Sequence, residues 1–99
     1  MIYIYYMMYT LHLFDHSIIK IKNIPFNVTH LYLDNNNITK IENIPFGVIV
    51  LSLNNNNIIK IENIPFNMER LYLTHNQITK IENIPSTGCE IQTNQTFFF

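Results

Sequence analysis

Leu31-Tyr32-Leu33-Asp34-Asn35-Asn36-Asn37-Ile38-Thr39-Lys40-Ile41-Glu42-Asn43-Ile44-Pro45 is the stretch on which the fold turns. Leu31 and Leu33 bracket Tyr32 at strand period, so both leucines share one side and the tyrosine takes the other. Asn35, Asn36 and Asn37 are turn formers. Ile38, Ile41 and Ile44 recur every three residues, as on a helix face. Pro45 argues against a helix, because it biases Ile44 away from the α region and supplies no N–H. The segment reads as a short strand, a turn and an extended or single-turn return.

Outward from it the pattern repeats. LHLFDHSIIKIKNIP starts at Leu11, LSLNNNNIIKIENIP at Leu51 and LYLTHNQITKIENIP at Leu71, so a copy begins every 20 residues. Self-similarity at that period is the mark of a solenoid. One unit has a single apolar side and cannot bury it alone; stacking sets leucine on leucine at roughly 4.8 Å and builds a continuous core. The expected organisation is one domain over 1–99, with repeats at 11–30, 31–50, 51–70 and 71–90. Residues 1–10 and 91–99 read as worn caps: Ile4 and Met8 fall one period before Ile24 and Val28, and Ile91 falls one period after Leu71.

Asn36, Asn56 and Asn76 form a column, whereas Asn35 gives way to His75 and Asn37 to Gln77. An inward amide is expected there, donating to one turn and accepting from the next. An unpaired buried backbone group would otherwise cost about 1–3 kcal/mol. His16 occupies that column in the first copy, which predicts an imperfect first coil.

The unit L-x-L-x-x-N-x-I-x-x-I-x-x-I-P, with prolines at Pro25, Pro45, Pro65 and Pro85, resembles a leucine-rich repeat over about four-fifths of the chain. Its short period and proline are similar to a subclass found in bacterial effectors and in repeat proteins of large DNA viruses. The resemblance implies a right-handed solenoid of the α/β leucine-rich-repeat class. A parallel sheet would line its concave face, with an extended or 3-10 convex side and little or no α-helix. It also implies a protein–protein interaction module, without cofactor or catalytic residues. The cysteine-rich caps of extracellular family members are absent, as is the ubiquitin-ligase domain of some bacterial effectors.

By alternation, the residues beside each leucine pair face outward: Thr10, His12 and Phe14; His30, Tyr32 and Asp34; Val50, Ser52 and Asn54; Arg70, Tyr72 and Thr74. Divergence between copies concentrates here, while KIENIP hardly changes. A scaffold that repeats while one face varies is the pattern of a binding surface. The expected contact set is His30, Tyr32, Asp34, Ser52, Asn54, Arg70, Tyr72 and Thr74, with Tyr and Arg as anchors because both are enriched among interface hot spots. The Lys40/Lys60/Lys80 and Glu42/Glu62/Glu82 columns read as a solvated convex face, broken by Lys22 in the first copy.

Composition narrows the partner. Six Lys+Arg against seven Asp+Glu, for a net charge of −1, give no basic face for nucleic acid. MIYIYYMMYTLHLF is too short to span a bilayer, which takes roughly 20 apolar residues, and reads as part of the fold. Cys89 is the only cysteine, which favours a reducing, cytoplasmic setting. His12 and His16 would share a face only on a helix, and two glycines in the chain leave no phosphate loop, so neither metal nor catalytic chemistry is expected. The alternative to a binding module is a structural piece of a larger array, self-associating through the apolar ends MIYIYYMMY and Phe97-Phe98-Phe99.

Overall fold

The computed structural model describes residues 9–85 and 88–94, and among them there is no helix. Seven short strands follow one another: β1 (Tyr9–His12), β2 (Val28–Tyr32), β3 (Val50–Ser52), β4 (Lys60–Ile61), β5 (Arg70–Tyr72), β6 (Lys80–Ile81) and β7 (Glu90–Gln92). Five of them form a parallel sheet in the order β1-β2-β3-β5-β7. Its register is the repeat itself: Leu11 pairs with Leu31, Leu31 with Leu51, Leu51 with Leu71 and Leu71 with Ile91. Of the segments expected as caps, residues 1–8 and 95–99 lie outside the described residues, while Tyr9 and Thr10 fall in β1 and Ile91 and Gln92 in β7.

The coil closes because each copy carries its own corners. Past the strand, Asp15, Asn35, Asn55 and His75 all sit at φ between 55° and 58°. On the return path Asn23, Asn43, Asn63 and Asn83 do the same, at 58°, 55°, 55° and 48°. Asn, Asp and His are the non-glycine residues that enter this left-handed region most readily. A third corner is a β-turn in which the residue after the proline's two followers donates back: Val28 N–H to Pro25 O at 3.2 Å, Val48 to Pro45 and Met68 to Pro65, both at 3.1 Å. The path between these corners is extended, and Lys60–Ile61 pairs in parallel with Lys80–Ile81 as a second, two-stranded sheet.

Inside the coils lie the columns foreseen from spacing. Leu31, Leu51, Leu71, Leu33, Leu53, Ile38, Ile58, Ile41 and Ile61 are essentially inaccessible, joined by Val28, Val48 and Met68. Burying each such side chain contributes roughly 1.5–3 kcal/mol. That contribution exists only when a neighbouring coil is present, so the coils stand or fall together.

Asn36, Asn56 and Asn76 are buried among these columns. Asn56 Nδ2 donates to Leu33 O of the preceding coil at 3.0 Å and to its own coil's Leu53 O at 3.1 Å, while its Oδ1 accepts the Ile38 N–H at 3.0 Å. Asn76 repeats this with Leu53 O and Ile58 N–H, and Asn36 with Leu13 O, Ile18 N–H and His16 N–H. Each amide thus donates to its own turn and to the preceding coil, and accepts from the preceding coil. The cause is reach: tilted toward the earlier coil, one planar amide spans both a carbonyl and an N–H of that coil's turn. Asn43 and Asn63 make a further column, donating to Ile21 O at 2.9 Å and Ile41 O at 3.0 Å. Sequence reading had given those two residues no role.

Candidate binding face

Strand pairing lays the outward side chains in rows. Thr10, His30, Val50, Arg70 and Glu90 form one; His12, Tyr32, Ser52, Tyr72 and Gln92 form the next. Phe14, Asp34, Asn54 and Thr74 follow just past the strands. The expected contact residues therefore do share one face of the sheet, yet they are not equivalent on it.

Ser52 is 3 % exposed and lies between the Tyr32 and Tyr72 strands, so it forms a floor and offers a partner no free surface. Val50, in the neighbouring row, is likewise buried. Alternation identified the correct side for both, but a small side chain flanked by large ones is shaded by them. Here the expectation of Ser52 as a contact residue is corrected.

Asp34 and Asn54 are committed to the scaffold. Asp34 Oδ1 accepts the Ser52 hydroxyl at 2.6 Å and the Asn54 N–H at 2.8 Å, and Asn54 Oδ1 accepts the Thr74 N–H at 2.8 Å. Asp34 and Asn54 each satisfy a backbone donor of the next coil, whereas Asn94 Oδ1 reaches back to accept the His75 N–H of the preceding coil at 2.9 Å. Thr74 is half-buried and enters the series only through its backbone.

What remains free is an aromatic and cationic group. The His12 and Tyr32 rings stack, with centroids 4.7 Å apart and planes 7° from parallel. Phe14 meets His12 edge-on at 5.1 Å. Two strands away, Arg70 lies beside Tyr72, whose phenol, together with Glu90 and Glu69, holds the guanidinium above its already high range. It carries its charge at every accessible pH. His30 is fixed through its Nδ1, 2.9 Å from Thr29 Oγ1. That hydroxyl also meets the Tyr9 N–H at 3.1 Å, where the β1–β2 register slips between Tyr9 and Thr10. Of the expected set, the geometry leaves His30, Tyr32, Arg70 and Tyr72 presented outward, and it adds His12 and Phe14. Alternation had placed those two on this side, but only coordinates show the stack.

Elsewhere among the described residues, no three His, Cys, Asp or Glu side chains come together as metal ligands would, and no helix is long and apolar enough to cross a membrane. On the return path Lys60 Nζ reaches Glu62 at 3.2 Å and Glu82 at 2.9 Å, and Lys80 reaches Glu82 at 3.5 Å. These solvent-screened pairs add little to stability. A cavity of about 540 Å³ opens at the N-terminal end of the described core, lined by Leu13, Ile18, Ile21, Ile24 and Leu33 among others.

No curated protein and no solved structure matches the chain. Residues 27–49 match the family model for Leucine Rich Repeat. With that unit stacked in parallel register along the described residues, the fold is a leucine-rich-repeat solenoid.

Proposed function

We propose that this solenoid is a protein-binding module that takes its partner on the outward face of the five-stranded sheet, the concave face of its family. The observation that carries the reading is the separation of labour on that face. Asp34, Asn54 and the buried Ser52 are spent on holding coils together, while His12, Tyr32, Arg70 and Tyr72 serve no comparable internal need. Large, pre-oriented aromatic groups with one arginine are the chemistry that anchors protein interfaces, because they bury much area at little entropic cost. Leucine-rich repeats generally mediate protein–protein contacts, in keeping with this, and we assign no enzymatic step. The lone Cys89 fits a cytoplasmic, reducing setting. The short proline-bearing repeat fits the bacterial-effector and large-DNA-virus subclass.

The test is capture of partners by the immobilised protein and by its Tyr32→Ala/Arg70→Ala/Tyr72→Ala variant. Loss of a specific partner with an unchanged circular dichroism spectrum is the expected result. Equal capture by the variant would remove this face from consideration.

A further inference from the structure

One face of the Tyr32 ring is taken, and the other looks toward the next coil. His12, its paired neighbour on the adjacent strand, stacks on the first, with centroids 4.7 Å apart and planes 7° from parallel. That separation is the strand pitch, so these rings stand across the sheet like rungs, one to a coil. Beyond Tyr32 the row continues with Ser52 and then Tyr72. Serine carries no ring, and Ser52 is sunk to 3 % exposure with Val50 buried beside it. One rung is therefore missing between Tyr32 and Tyr72, which lie two strands apart, about 10 Å by strand spacing. A flat group seated midway is ~5 Å from each ring, inside the ~6 Å over which an aromatic face attracts a cation.

A carboxylate reaches into the same gap. Asp34 Oδ1 crosses to the Ser52 coil, where it accepts the Ser52 hydroxyl at 2.6 Å and the Asn54 N–H at 2.8 Å. Both bonds fall on one oxygen. Oδ2 has no partner among the described residues, and no buried side-chain oxygen or nitrogen there lacks one, so Oδ2 opens to solvent. The chain's own cations leave it unanswered. Every lysine lies on the return path. Arg70 stands in the neighbouring row, and the carboxylates that act on it are Glu90 and Glu69. Asp15, Asp34, Glu69 and Glu90 against Arg70 make this face and its borders net negative.

We propose that the missing rung is a pocket for an arginine side chain of the protein partner, its guanidinium between Tyr32 and Tyr72 and its N–H fork on Asp34. This presupposes the sheet face as the contact surface and specifies what a partner places there. An apolar ring of the same thickness would seal Oδ2 away without a hydrogen bond, which is costly. A lysine ammonium is compact and strongly hydrated. A guanidinium is planar and weakly hydrated, and it stacks on aromatic faces while donating in its own plane to a carboxylate.

The probe is a capped Gly-Gly-Arg-Gly-Gly peptide, titrated into the full chain and followed through the ring-proton shifts of Tyr32 and Tyr72. Versions with citrulline, lysine or tryptophan in place of arginine run beside it. The arginine peptide should saturate at about 1–10 mM, the range of a single anchored side chain, and shift both rings together. Citrulline, which keeps the shape and loses the charge, should bind about tenfold more weakly, and the other two should also be weaker. Asp34→Asn keeps an oxygen for the Asn54 N–H, as Asn54 itself does for the Thr74 N–H, so circular dichroism should not change. Arginine should nonetheless lose about tenfold there, together with its advantage over citrulline. Tyr32→Leu and Tyr72→Leu should each weaken the arginine peptide about tenfold. No measurable binding of that peptide, equal binding of citrulline, or an Asp34→Asn protein that still prefers arginine overturns the pocket. So does tighter binding of the tryptophan peptide, which would make the gap an aromatic slot. Partner capture that needs Tyr32, Arg70 and Tyr72 while the arginine peptide fails would sink the pocket and keep the sheet face. Capture indifferent to all three would sink both.

Discussion

Replacing Asn56 by alanine isolates what the buried amides contribute. The substitution removes the only acceptor bonded to the Ile38 N–H, at 3.0 Å, in a region where Ile38 itself is inaccessible. The three carbonyls it also serves are better protected, because Leu33 O keeps the Asn36 amide at 2.9 Å, Leu53 O the Asn76 amide at 2.9 Å and Asn54 O the Asn35 N–H at 3.0 Å. The loss is thus one orphaned buried donor, about 1–3 kcal/mol, plus the net value of the lost donations, about 1 kcal/mol in all. A total near 2–4 kcal/mol is a large part of the ~5–15 kcal/mol that holds a domain of this size together. It corresponds to a fall in Tm of roughly 10–25 °C. Asn36→Ala should cost less, about half, because its acceptors' partners, His16 and Ile18, lie in the more exposed first described coil and can turn to water. Urea unfolding followed by circular dichroism reads both values. A loss below about 1 kcal/mol for Asn56→Ala, or an equal loss at the two sites, would refute the claim that these amides satisfy backbone groups water cannot reach.

Further tests follow from other parts of the molecule. At Asn63, where φ is 55°, glycine loses only the 3.0 Å bond to Ile41 O, whereas alanine adds the left-handed strain of about 1–2 kcal/mol. Asn63→Gly should therefore unfold at higher urea than Asn63→Ala, the reverse of the usual order. The Lys60–Glu82 pair lowers the Glu82 carboxyl from 4.5 and raises the Lys60 ammonium from 10.5, each through their mutual hydrogen bond first. Its contribution is present between those ordinary values, fading as pH falls through the lowered glutamate and as it rises through the raised lysine. Because both groups are solvent-exposed, Glu82→Gln should lower Tm only slightly at pH 7, and the difference should vanish in 1 M salt. Burial alone pushes the Cys89 thiol up from 9.0, so a disulfide reagent at pH 7.5 should label it far more slowly in the folded protein than in urea.

What could be read from the sequence was whatever repeats with a physical period. The Leu31–Leu51–Leu71 column needed only strand alternation and the 20-residue copy length. The corner residues were legible as turn chemistry, though not as two left-handed points per coil. Ser52 was misplaced because alternation reports a side and not the height of neighbours. Asp34 and Asn54 were read as contacts because an outward polar residue looks the same whether it faces solvent or caps the N–H of the next coil. The Asn43 and Asn63 amides were visible only as sameness: KIENIP barely changes from copy to copy, and that sameness was credited to a solvated face instead of to hydrogen bonding. Phe26, Phe46 and Phe66 stood in the sequence in plain register, but their exposure depended on where the turn points.

The polar demands of the fold and the freedom of its faces are connected. A parallel coil of this kind ends its sheet ladder after two or three residues, leaving N–H groups at each turn with no strand partner. The chain answers with side chains drawn from both sides of the strand: Asn36, Asn56 and Asn76 from within, Asp34 and Asn54 from without. The outer contribution removes Asp34 and Asn54 from the residues free to vary, since changing them to suit a partner would unsatisfy the next coil's backbone. Variation is then affordable only in the two rows on the strands themselves, and there a small residue at Ser52 lets Asp34 reach across. The aromatic group around Tyr32 and Tyr72 is consequently confined to the part of the sheet where backbone bonds are already complete, which is where a contact surface can change without loosening the coil beneath it.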